Sequence, residues 1–266
     1  MNIQFTMGTI WTLILSALLC LIAPIVFLFR YRKRYDGKIT SFFIGMAGYF
    51  LFSMLLIQLF HMIMFSLIPA IPKLISEKAW FQSLYLAFSF TLFGCLGRFL
   101  MLKYSMKNRF DLGNALIYGA GQGGLFAITN VTAIAMSNVI TAILVNTLGA
   151  DEYLNKLGYT GTDLENIQIH LIEFSSMPTT QHFFDGTAPF IILFAEIALT
   201  TFIYLGIQKQ KATIFLAISF LFQFIILFSF YLEKTNVITE PLFAEGVILL
   251  VTVTCWHYAK KAESLI

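Results

Sequence analysis

Charged side chains are scarce in this chain. They make up 12% of its 266 residues, roughly half the share of an ordinary soluble domain. That shortage excludes a water-soluble globule, and a net charge of +3 is too small to suggest nucleic acid as a partner. Cysteine is scarce too. Cys20, Cys95 and Cys255 each lie inside an apolar run and read as small buried hydrophobes, which excludes a disulfide framework. No Lys or Arg precedes the first apolar run, so a cleaved signal peptide is not expected. Cys20 follows Leu18 and Leu19, where a lipobox wants a small residue. The first run therefore reads as a retained span.

What is present in abundance is apolar sequence: 58% of residues, in blocks that match or exceed the roughly 20 helical residues needed to cross a bilayer. Backbone groups in lipid must be satisfied within the segment or in a closed barrel. The runs are continuous and do not alternate, which favours helices. Spans are expected at about Gly8–Phe29, Ile39–Ile68, Trp80–Leu102, Leu112–Leu148, Thr187–Ile207, Ala212–Leu232 and Val237–Tyr258. The fourth region is too long for one straight span, and Gly119, Gly121, Gly123 and Gly124 near its start predict a break or kink there. The fold class is thus all-α: a polytopic transmembrane bundle of about seven spans, with residues 1–266 as one multi-pass domain of the cell membrane.

Loop charges set the orientation. Counted alternately, one side carries twelve Lys and Arg, at positions 30, 32, 33, 34, 38, 103, 107, 109, 209, 211, 260 and 261, and the other carries Lys73, Lys78, Lys156 and Lys234. The asymmetry predicts an external N-terminus and a cytoplasmic C-terminus. Residues 149–186 form the one extramembrane stretch, expected outside. There Leu164, Ile167, Leu171 and Phe174 recur at helical spacing, which fits either a short amphipathic helix on the outer surface or a solvated loop helix.

Two stretches carry more than hydropathy. Phe93-Gly94-Cys95-Leu96-Gly97-Arg98-Phe99 lies in the third span, and Tyr118-Gly119-Ala120-Gly121-Gln122-Gly123-Gly124-Leu125-Phe126 in the fourth. This arrangement resembles the YhfC-like family of glutamic-type intramembrane proteases, distant relatives of the CAAX-processing proteases. The family pattern has Phe-Glu-Glu-x-x-Arg in one helix and Gly-His-Gly-Gly-x-Glu in the next. Two later helices each add a His, the last followed by an Asp. Arg98, Gly121, Gly123 and Gly124 match that pattern. Gly94 and Cys95 stand where the two glutamates belong, Gln122 replaces the His, and Phe126 replaces the following Glu. Glu196 falls at the first later His, Leu221 at the second and Ile225 at its Asp. Peptide hydrolysis needs a base or a metal to activate water, and these replacements supply no strong base. The resemblance therefore implies a non-catalytic relative, a pseudoprotease, without cofactor or metal. Its partners would be the lipid bilayer and another membrane protein, a peptide or a lipid-linked ligand. Two plainer explanations stand beside it. Small residues are common where helices touch in lipid, and an Arg near a span end can snorkel to the headgroups.

Depth alone suggests a second constellation. His61, Glu196 and Glu245 each lie about eight or nine residues from the outer end of their spans, roughly 12 Å deep. Ionisable residues at that depth usually face a cavity or one another. Such a cluster would serve a transport or channel component, or an active protease with a displaced site. Asn114, Gln122, Asn130, Asn138 and Asn146 fall every eight residues and spiral around their helix, which suggests a helix with protein on most sides. His170, Glu173 and His182 could hold a surface metal or simply be solvated. No HExxH, GxSxG or Walker sequence occurs, and the seventh span has no Lys for a retinal Schiff base.

Overall fold

A computed structural model describes residues 3–263. They are helical throughout, with no strand among the described residues, and seven helices are long and apolar enough to cross a membrane. These are Met7–Tyr35, Ile39–Leu67, Ala79–Ser105, Leu112–Leu148, Thr179–Gln208, Ala212–Lys234 and Pro241–Lys261. The multi-pass helical architecture matches the one read from hydropathy. Large apolar side chains such as Ile22, Phe43, Met62, Leu221 and Leu250 are exposed on the outside of the bundle, where lipid replaces a protein partner.

The chain ends of the spans are fixed locally. The Thr6 hydroxyl accepts the Thr9 amide proton at 3.1 Å and so caps the first span. The Asp111 carboxylate caps the fourth in the same way, accepting from the Asn114 amide at 2.8 Å, which satisfies one of the free donors of the first turn. The Asn114 side chain then reaches sideways, accepting from the Lys38 amide at 2.8 Å and the Ser41 hydroxyl at 2.6 Å. That pair ties the start of the second span to the start of the fourth.

Three sequence expectations change. The fifth span begins at Thr179, not near Thr187. The segment 179–186 looks polar, but Gly186 sits so close to Ser16 that the helix continues against the first span. The glycines of the fourth span produce no break. Leu112–Ala127 is regular α-helix, and the irregular turn comes later, as a π-helical stretch at Ile128–Thr132. The glycines are there for close approach: a Cβ on Gly121 would collide with the Phe42 carbonyl oxygen, and one on Gly119 would lie 2.8 Å from the Ile197 Cα. Finally, protein surrounds only the first half of the fourth span. The second half exposes Ile134, Ile140 and Ile143, and the centre of the bundle belongs to the fifth span, most of whose residues are buried. The fifth span packs against the first, fourth, sixth and seventh, and the third packs chiefly against the sixth.

Between the fourth and fifth spans lie two short helices, Ala150–Leu157 and Thr162–Ser176. Gly158 ends the first in a left-handed conformation, φ 71°. The second turns Leu171 and Phe174 inward, and the Phe174 ring meets Phe5 at 4.6 Å. It therefore rests on the bundle through those two residues.

Candidate functional site

Arg98 is completely buried in the middle of the bundle, not snorkelling to a surface. It shares one helix face with Gly94 and Cys95, four and three residues earlier. Its Nη2 donates to the Glu196 Oε2 of the fifth span, forming an ion pair. Glu196 is 4% exposed. Its other oxygen, Oε1, accepts from the Gln223 Nε2 of the sixth span at 3.2 Å. The Gln223 Oε1 in turn accepts from Arg98 Nη1 at 3.3 Å and from the Cys95 thiol at 3.1 Å. Four side chains from three spans thus form a closed network, with the charges of Arg98 and Glu196 offsetting each other away from water.

The small residues around it make room for this arrangement. A Cβ on Gly94 would lie 2.8 Å from Gln223 Nε2, and a Cβ on Gly123 would lie 2.8 Å from the Glu196 Cβ. Gly124 meets Pro24 of the first span. Three polar atoms at the edge of the network have no partner: Arg98 Nε, the Tyr118 hydroxyl and Gln122 Oε1. A cavity of about 10 Å³ touches Tyr49, Gln122, Phe126, Glu196 and Gln223, room for about one water.

The motif positions and Glu196 are therefore one site. Arg98 lies 19 residues past Ala79 and Glu196 lies 17 residues past Thr179, so the earlier start of the fifth span brings the two level. The trio His61, Glu196 and Glu245 does not assemble. His61 lies among aromatic rings, 5.2 Å from Tyr85, with its Nε2 unpartnered, and Glu245 accepts from the Thr187 hydroxyl. Equal depth fixed their height but not the helix face each occupies. Leu221 is 56% exposed on the outer surface and Ile225 makes no part of the network. Gln223, two residues after Leu221, points inward instead. Sequence reasoning missed it, although it is the one amide in the apolar run of the sixth span. His170 and Glu173 are exposed, whereas His182 is buried on the fifth span with its ring 5.3 Å from Phe174.

One turn further along the fourth span a larger cavity opens, about 320 Å³ in volume. Asn130, Asn138 and His182 line it, and an ion pair between Lys234 and Asp185, 2.5 Å apart, borders it. His182 Nε2 has no partner. Phe126 lines the small cavity, Phe230 lines the large one, and their rings touch at 6.0 Å. Tyr49 meets Phe126 from the other side at 6.1 Å. Aromatic rings thus stand between the large cavity and the buried network.

A family model described as YhfC intramembrane metalloprotease matches residues 18–248. The chain is also 24% identical, over 251 residues, to a Bacillus subtilis (strain 168) protein described as an uncharacterized membrane protein YhfC. That likeness covers 94% of this chain and 95% of the other. No solved structure matches. The family description names a metal, and the donor set of this site does not fit one. Both oxygens of Glu196 are engaged by Arg98 and Gln223, and the Cys95 thiol donates to Gln223. Gly94 has no side chain to offer, and amide side chains are poor metal ligands. Among the described residues no three His, Cys, Asp or Glu converge.

Proposed function

We propose that this chain, which belongs to the YhfC intramembrane metalloprotease family, is a non-hydrolytic member that binds a peptide segment of another membrane protein. One observation carries the reading: the buried Arg98–Glu196–Gln223 network at the family-motif positions. To activate water, a carboxylate needs a free lone pair aimed at it, or a metal must do the work. Each Glu196 oxygen already accepts one hydrogen bond, Oε2 from a guanidinium that stays protonated, so the carboxylate is held in an ion pair and is not free to turn toward a water. Phe126 and Phe230 close the path along which water would arrive from the larger cavity.

The larger cavity supports the binding half of the reading. Its volume falls within the range of small-ligand sites. Apolar walls at Leu13, Val131 and Phe230 suit a side chain, while Asn130, Asn138 and His182 offer hydrogen bonds. A stretch of backbone unwound in lipid needs such partners. Ile134 belongs both to the wall and to the outer surface of the bundle, so a segment can approach from the side. That the ligand is a peptide rests on analogy with the family.

Reconstituted protein, incubated with zinc and a set of transmembrane peptides, is expected to yield no fragments by mass spectrometry. Fragments that disappear with Glu196→Gln would overturn the non-hydrolytic reading. A photo-crosslinker at position 134 should capture a membrane protein from native membranes, and one at the lipid-facing position 250 should not. Equal capture at both positions removes the support for the cavity.

A further inference from the structure

The end of the bundle where the first span finishes and the seventh finishes holds a second, differently built cavity. It measures about 500 Å³ and lies between the first, fourth, fifth and seventh spans. The first and seventh spans flank it without packing extensively against each other. Arg30 and Arg34, one helical turn apart on the first span, and Lys260 on the seventh supply three positive charges. Among the described residues no acidic side chain lines it, and none of the three cations forms an ion pair with a described residue. Arg34 leans over the Tyr35 ring at 5.4 Å, a contact that leaves its charge uncompensated.

Below the charges the walls are apolar and aromatic. Phe27 and Tyr31 stack at 5.8 Å along the first span, and Phe27 meets Phe194 edge-on at 5.0 Å. Trp256 is held in place by donating from its indole nitrogen to the Phe194 carbonyl at 3.1 Å. Leu116 completes the floor. Aromatic side chains at the end of a span sit at headgroup level. The cavity therefore offers a cationic rim at the height of lipid headgroups and an apolar floor at the height of the first acyl carbons.

From this pairing of three cations that have no acidic partner among the described residues with an aromatic floor, we infer that the cavity binds an anionic phospholipid, its phosphate among Arg30, Arg34 and Lys260 and the start of an acyl chain against Phe27 and Phe194. Loop charge alone explains why cations lie at this end. It does not explain why three of them share a cavity with no acid among its described lining residues and with room beneath for a chain. A free phosphate ion would satisfy the rim but leave the floor empty, so the lipid is the favoured source. The inference stands apart from the proposed function, since it concerns another cavity and a permanent component of the bilayer.

The test uses the tryptophan already in the wall. Trp11→Phe and Trp80→Phe leave Trp256 as the sole tryptophan of the chain. In phosphatidylcholine nanodiscs, phosphatidylglycerol with brominated acyl chains, added as a minor component, should quench Trp256 much more than brominated phosphatidylcholine at the same fraction. A preference of about tenfold or more is expected for three basic groups near the surface. Arg30→Gln, Arg34→Gln and Lys260→Gln together should bring the ratio close to one. A control that removes as many charges from the same end, Arg32→Gln with Lys33→Gln and Lys107→Gln, should leave it standing. A ratio of one in the unsubstituted cavity overturns the inference without reference to any charge variant. An equal loss in the control reduces it to diffuse surface charge, and loss of the preference on adding inorganic phosphate reassigns the site to a soluble anion.

Discussion

Arg98 and Glu196 depend on each other, and that dependence gives the sharpest expectation at the scale of single residues. Arg98→Met leaves the Glu196 carboxylate charged and buried, a loss of about 3–5 kcal/mol. Adding Glu196→Gln removes the stranded charge, so the double variant should be more stable than Arg98→Met alone. Thermal denaturation in detergent, read as a double-mutant cycle, measures the coupling; simple additivity would mean that the two groups do not interact. Gln122 behaves differently. Its Oε1 has no partner, so Gln122→Met should change stability by less than about 1 kcal/mol. A larger loss would mean that the amide makes a contact essential to the fold. The sequence exposed Arg98 and Glu196 as unusual but not as partners. Pairing depends on the level and the rotation of two separate spans, and the polar residues from Thr179 to Gly186 look like loop, which hides the level. Gln223 lies two residues past Leu221, the position that the family spacing gives for the second His and one that faces outward.

At the scale of helices, glycine decides how closely the spans approach. Gly45 of the second span and Gly121 of the fourth face each other's neighbours: a Cβ on Gly45 would strike the Tyr118 carbonyl oxygen, and one on Gly121 the Phe42 carbonyl oxygen. Backbone cannot step aside as a side chain can. Gly45→Ala and Gly121→Ala should each cost about 1–3 kcal/mol or more. Gly246, in the seventh span, has open space around its missing Cβ, and Gly246→Ala should stabilise by about 0.5–1 kcal/mol through helix propensity alone. Comparing the three melting temperatures in detergent checks the contrast, and similar losses at all three positions would refute it. Existence and rough length of every span were legible, because an apolar run of about 20 residues has one structural solution in lipid. The use of the glycines was not. A Gly-rich stretch reads equally as a hinge or as a contact surface, and only the neighbouring backbone tells which.

For the whole molecule, the same buried frame serves two readings of the chain that differ by a few atoms. With bases or metal ligands at the motif positions, the centre of such a bundle can hold reactive water. In this chain Gly94, Cys95 and Phe126 stand at three of those positions, and Arg98 pairs with the Glu196 carboxylate. Orientation is a separate expectation from the excess of Lys and Arg on alternate loops. Single cysteines at positions 33, 107 and 209 should label from the cytoplasmic side and one at 163 from outside, and the opposite pattern would invert the bundle. The non-hydrolytic proposal rests on Glu196 being held between Arg98 and Gln223 while the other motif positions carry no acid or His. Its most direct test is the zinc content of the chain, purified from zinc-supplemented cells and measured by elemental mass spectrometry. The account predicts far less than one zinc per chain, unchanged by Glu196→Gln. One tightly held zinc per chain, lost on Glu196→Gln, would contradict it.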